Sequence, residues 1–251
     1  MKFKIHILSA LLLFIGCSYN NNATFNYNAK YDKNYIDIRF GNVPIIFTIP
    51  HSGSICLSDI PIRDNDNKNN CSFNLKNDLY VDIIVNKFSD ELNNLTGNVP
   101  YVIQNNIHRK YIDVNRNKEC AYSHNVTEFT YDRYHSYING LINHLTMLYD
   151  KVLLIDLHGQ YSHTGDIFIG TDNGTTIDDV IELKVINSFI DMGYVTTDEH
   201  WHGGYTIKNY GKHNDKVDAI QIEIDKKYRF DEKMMDKFVT DFVFIINDIH
   251  N

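Results

Sequence analysis

Two histidines stand where strongly apolar runs end. His51 follows "PIIFTIP", and His158 closes "KVLLIDL" with Asp156 two residues ahead of it. Imidazole nitrogen is a good zinc ligand, and a catalytic zinc commonly takes three protein ligands and leaves one position for water. Taken singly, each histidine also reads as a satisfied structural residue in a chain that has 12 of them. Asp78 and Asp82, at the start of the next helical pattern, are candidates for a third ligand, since an i, i+4 spacing puts both on one helical face. Helix capping and compensation of the helix dipole would favour acidic residues there in any case.

Glu223 lies between Ile222 and Ile224 in "AIQIEID". Strand alternation sets Gln221, Glu223 and Asp225 on one face. On an edge strand that face would be solvated. In a central strand beside a metal-bound water, the carboxylate would suit general-base work. A third candidate is "RKYIDVNR", residues 109–116. Arg116 beside Asn115 offers a planar fork plus an amide that can grip a carboxylate, and Arg109 can face a carbonyl under attack. The alternative is an ion pair between Asp113 and one of the arginines.

These residues need a scaffold to bring them together. Runs rich in β-branched and aromatic residues predict strands at Tyr35–Phe40, Pro44–Ile49, Val99–Gln104, Val152–Leu157, Ile167–Gly170 and Ala219–Ile224. Helical periodicity predicts helices at Leu79–Leu92, Thr130–Tyr149, Asp178–Met192 and Glu232–His250. Strands alternate with helices, and "PIIFTI" and "KVLLIDL" are apolar enough to be buried on both faces. The expected fold is a three-layer α/β/α sandwich with a mixed, mostly parallel sheet. Ligands in such folds gather past the carboxyl ends of the strands, where "PHSG" and "DLHGQ" fall.

The chain of 251 residues, 43% hydrophobic and with a formal net charge of -8, reads as one globular domain. Its acidic balance and the lack of a dense Lys/Arg block argue against a nucleic-acid partner. The opening "MKFKIHILSALLLFIGC" has the layout of a secretory signal, too short to span a bilayer as a membrane helix. Residues 1–17 are therefore expected to be a signal peptide, 18–34 a polar tether and 35–251 the catalytic domain. "FIGC" is similar to a bacterial lipoprotein processing site, which makes Cys17 a candidate lipid anchor and the only expected membrane contact. The expected location is outside the cytoplasm: periplasmic, surface-tethered or secreted. Of the other cysteines, Cys56 and Cys71 form a candidate disulfide. "RDNDNKNN", residues 63–70, reads as a solvated loop.

In order, "IPHSG", "NDLYVD", "HRKYIDVNR", "YH", "LLIDLHG", "HGGYTIKNYGK" and "AIQIEID" resemble the N-formylglutamate amidohydrolase family, from about Val43 to Asp231. The resemblance implies a zinc carboxypeptidase-like fold, with zinc held by His51, His158 and an acidic residue, Asp78 in preference to Asp82. It implies Glu223 as general base, Arg109 at the scissile carbonyl, and Asn115 and Arg116 on the substrate's carboxylate. "GGYTIKNYG" would be a substrate loop in which Tyr205 or Tyr210 covers the ligand and Lys208 adds charge. The carboxypeptidase-like pairing of a histidine with a glutamate three residues on is absent, since Ser54 stands there. The expected reaction is zinc-dependent hydrolysis of an N-acyl amino acid such as N-formylglutamate, or of a short acidic peptide. Alternatives are an exported zinc carboxypeptidase or amidase acting on cell-wall or polyglutamate peptides, and a non-catalytic carboxylate-binding surface protein.

Overall fold

The computed structural model describes residues 33–63, 71, 74–161, 164–197, 202–212 and 215–250. The expected signal peptide, Cys17 and nearly all of the tether lie outside the described residues. Seven strands form one sheet in the order β1-β3-β2-β4-β7-β5-β6: β1 (Ile36–Arg39), β2 (Ile45–Ile49), β3 (Tyr101–Asn105), β4 (Val152–Gln160), β5 (Ile167–Gly170), β6 (Thr196–Thr197) and β7 (Val217–Asp225). The four central strands β3, β2, β4 and β7 run parallel; β1 and β5 are antiparallel to their inner neighbours.

The helices are α1 (Val81–Thr96), α2 (Lys118–Ala121), α3 (Glu128–Leu148), α4 (Asp179–Asp191), α5 (Tyr205–Tyr210), α6 (Lys226–Phe230) and α7 (Glu232–His250). Side chains alternate across a strand, and the core divides accordingly. Ile155 and Leu157 of β4 and Ile222 and Ile224 of β7 pack with α1, α4 and α7. Leu154 of β4 and Ala219 of β7 pack with α3 and α5. These are the three layers expected from the sequence.

Three boundaries bear on the site. β4 runs on to Gln160, so His158 lies within the strand rather than past its end. α1 begins only at Val81, after Tyr80 has turned the chain through a left-handed conformation (φ 69°). The helical i, i+4 relation expected of Asp78 and Asp82 therefore does not hold, and Asp82 instead feels Arg39. Finally, "GGYTIKNYG" is not a loop throughout, because residues 205–210 form α5.

The expected disulfide is also corrected. Cys71 pairs with Cys120, their Cα atoms 5.6 Å apart. Cys56 is disulfide-bonded too, but not to Cys71. Arg63, expected in the solvated loop, is buried. It donates to the carbonyls of Arg109, Cys120 and Asn74 at 3.1, 3.3 and 3.1 Å, so it gathers the chain around the disulfide.

Candidate metal centre

The apolar face that β4 turns toward α3 becomes polar at the strand's C-terminal end. Leu154 is followed on that face by Asp156 and His158. β7 does the same, and its Glu223 lies directly across from His158 in the parallel register. Because β7 is central and buried along its whole length, Glu223 is not on a solvated edge. His51 arrives from the loop after β2, and Asp78 from the segment ahead of α1. The Asp78 backbone N–H donates to the His51 carbonyl at 3.0 Å, which fixes the two segments together.

His51, Asp78 and His158 form a buried group whose ligand atoms converge. His51 Nδ1 lies 3.2 Å from Asp78 Oδ2 and 3.1 Å from His158 Nδ1, and His158 Nδ1 lies 3.0 Å from Asp78 Oδ2. The outer nitrogens decide what these atoms offer. His51 Nε2 is 2.6 Å from Asp113 Oδ1, and His158 Nε2 is 2.9 Å from Asp156 Oδ2. A proton on each Nε2, donated to a carboxylate, leaves both Nδ1 lone pairs facing Asp78 Oδ2. Three lone pairs then meet at one point, an arrangement that a cation satisfies. Two nitrogens and one carboxylate oxygen, each ring backed by a second carboxylate, suit zinc.

The electrostatics agree. Burial opposes charge on His158, but Asp156 and Asp78 outweigh it and push its pKa well above the ordinary histidine value. Burial likewise opposes ionisation of Asp78, yet the two histidines beside it hold its carboxyl well below the usual range. Negative potential that favours a proton on the His158 ring favours a metal cation as well. Glu223 differs. Its pKa is raised by burial, with His158 only partly offsetting this, and Gln221 Nε2 donates to it at 2.9 Å.

Asp113 is the hub beneath His51. Arg109 Nε donates to its Oδ2 at 2.9 Å, and the guanidinium nitrogens of Arg63 and Arg116 lie at 3.6 Å. The expected alternative of one structural ion pair understates this, since three arginines surround one carboxylate. Burial opposes the charge on Asp113, but His51 and Arg109 hold its pKa far below normal. Arg109 also reaches within 3.9 Å of Asp78, which aims it at the candidate metal site. The Arg116 side chain is 36% exposed, although its Nε is buried beside Asp113.

Other expected residues are placed differently. Asn115 points inward: its Nδ2 donates to Asp156 at 2.9 Å, and its Oδ1 accepts from the Thr206 N–H at 2.7 Å, capping α5. Asn115 Nδ2 is also 3.0 Å from His158 Nε2, but with a proton on that nitrogen the carboxylate is the acceptor for both. Gly204 must be glycine here, because a Cβ would meet the Asn115 amide at 2.4 Å. Tyr210 is buried, with its hydroxyl 2.7 Å from His135 Nδ1. Tyr205 sets its ring edge-on to His135, and Lys208 pairs with Asp172 at 2.8 Å. The hub partner Arg63 had no local signal, whereas Asp156 was marked by its period-two spacing from His158.

Fold and site together define a three-layer α/β protein with a buried group of two histidines and one carboxylate that could hold a cation, beside a further carboxylate. The sequence model of the family described as N-formylglutamate amidohydrolase matches residues 119–228, so the resemblance carried by the ordered motifs is borne out over that stretch. The match includes His158 and Glu223. His51, Asp78, Arg109 and Arg116 lie ahead of it.

Solved structures share the fold over most of the chain. An N-formylglutamate amidohydrolase from Ralstonia eutropha JMP134 is similar with a TM-score of 0.68 at 15% identity, covering 86% of this chain and 96% of that one. A gene product of Agrobacterium tumefaciens is similar with a TM-score of 0.67 at 11% identity, covering 90% and 98%. No curated protein sequence matches.

Proposed function

We propose that this protein is a zinc-dependent amidohydrolase that cleaves the amide bond of an N-acyl amino acid such as N-formylglutamate. The observation that carries this reading is the convergence of His51 Nδ1, Asp78 Oδ2 and His158 Nδ1, with Glu223 across the strand from His158. The family match supports the reaction class.

Zinc held by these three side chains would supply Lewis acidity and lower the pKa of water toward about 7. Glu223 takes the proton from the attacking water and returns it to the leaving nitrogen, so water and amide become carboxylic acid and amine. Arg109, steadied by Asp113, meets the carbonyl oxygen as it gains charge. Arg116 pairs with the free carboxylate of the substrate. Asn115 acts from behind, holding Asp156 and the start of α5 in place.

Export is part of this proposal. The Cys71–Cys120 disulfide supports an oxidising compartment, where such bonds persist. The test is release of free amino acid from N-formyl-L-glutamate by the zinc-loaded protein, beside Glu223→Gln. Turnover lost in the variant upholds the reading. A zinc-loaded protein that cleaves only acidic peptides overturns the small-substrate assignment, and one that cleaves neither overturns the enzyme assignment.

A further inference from the structure

Arg229 is among the largest side chains that are fully buried, at 1% exposure, although it lies in the short helix α6 and outside the metal centre. Its guanidinium donates three hydrogen bonds, each to a main-chain carbonyl: Leu79 at 2.6 Å, Gln160 at 2.9 Å and Ile224 at 3.1 Å. These carbonyls come from three separate segments. Leu79 follows Asp78 directly, Ile224 follows Glu223 directly, and Gln160 is two residues beyond His158.

Gly159 marks the same device from the other side. A Cβ at that position would meet the Arg229 guanidinium carbon at 2.4 Å, so β4 carries a glycine where the planar head lies against it. Alternation puts position 159 on the face opposite His158, and Arg229 therefore sits on the α1 and α7 side of the sheet. It cannot touch substrate or metal from there. Tyr161 and Phe230 close over it, with ring centroids 5.0 and 5.5 Å from the guanidinium carbon.

We infer that Arg229 is a positioning residue that fixes Asp78, His158 and Glu223 relative to one another through the main chain. The inference rests on the proposed zinc amidohydrolase reading. A planar head with five donors suits this role, because it can serve three acceptors in fixed directions. Lysine brings the charge without the fork. Three segments that carry ligands and base are tied one or two residues from the working side chain, so a shift of the head is passed directly to the site.

The experiment compares wild type with Arg229→Lys, Gly159→Ala and the double variant. The readouts are zinc affinity by chelator competition, kcat and KM on N-formyl-L-glutamate, and Tm without metal. Each single variant is expected to weaken zinc binding by about 10-fold or more, in the range known for residues that orient ligands. We expect kcat to fall by a similar factor, with KM little changed. The double variant should fall well short of the sum, because both changes displace one guanidinium. A core control, Phe242→Leu, should lower Tm while leaving zinc affinity unchanged.

Arg229→Lys with wild-type zinc affinity and kcat would overturn the inference alone. Equal loss of zinc affinity in the Phe242→Leu control would reduce Arg229 to general stability and overturn it too. A wild-type protein that binds zinc without hydrolysing the substrate sinks the catalytic reading, while zinc affinity still decides for or against Arg229. A wild-type protein that takes up no zinc overturns both.

Discussion

His51 Nε2 lies 2.6 Å from Asp113 Oδ1, and through that contact the candidate metal centre is joined to the arginine cluster. One carboxylate thus orients a ligand and fixes Arg109. Asp113→Asn should weaken zinc binding by about 10- to 100-fold. It should also lower stability by about 3–5 kcal/mol, since the buried arginines lose their counter-charge. Chelator competition and denaturant unfolding read the two effects separately.

Glu223→Gln keeps the shape of the side chain and its bond partner Gln221 but cannot take a proton. Turnover is expected to fall by about 100-fold or more while zinc content stays at the wild-type level. Metal analysis beside a rate assay decides, and undiminished turnover removes Glu223 as the base.

The two arginines should separate kinetically. Arg116→Ala is expected to raise KM for substrates with a free carboxylate and to leave the corresponding neutral amides unaffected. Arg109→Ala should lower kcat by about 100-fold on both, as loss of an oxyanion donor does. Assays on one acid and its amide show whether the division holds.

Burial holds the His135 ring at a pKa of about 4, against 6.5 for the free side chain. Above pH 6.5 the ring is neutral in both folded and unfolded chains. Between 6.5 and about 4 the unfolded chain takes up a proton that the native state refuses, so stability falls as pH drops through that window. The loss approaches about 3 kcal/mol for one such group. His135→Gln should flatten the slope of Tm against pH. Some slope will remain, because burial also holds His108 at about 4.

The Cys71–Cys120 bond closes a loop with a sequence separation of 49. Replacing both cysteines by serine should lower stability by about 4 kcal/mol on the chain-entropy account. Denaturant unfolding of the double variant beside wild type measures this, and a loss near zero would show that Arg63 alone holds the loop.

The layers of the fold were legible because they depend on local pattern. Apolar runs such as "PIIFTI" and "KVLLIDL" have the pattern of strands buried on both faces, and α7 has the bounds its periodicity predicts. His51, His158 and Glu223 stand out because each breaks or ends such a pattern, and Asp78 because it lies at the start of a helical one. What misled the reading was local as well: two acidic residues at i, i+4 look like one helical face until Tyr80 turns the chain between them. The family resemblance implied a loop at "GGYTIKNYG", whose glycines and polar residues hide a helix of six residues.

By itself, then, the sequence determined the order of the longer strands and the four long helices, but not β6 or the short α2, α5 and α6, together with the chemistry of the candidate ligands and the presence of fixed positive charge near Asp113. Only the tertiary structure decided how these meet. Whether β7 is central depends on pairings with β4 and β5, which no local pattern encodes. The role of Asp113 depends on four side chains from three stretches of chain arriving at one carboxylate. Arg63 and Arg229 look like ordinary surface cations in sequence. Both donate to main-chain carbonyls, which carry no residue identity and come together only when the chain folds, and Arg63 stands beside Asp113 as well.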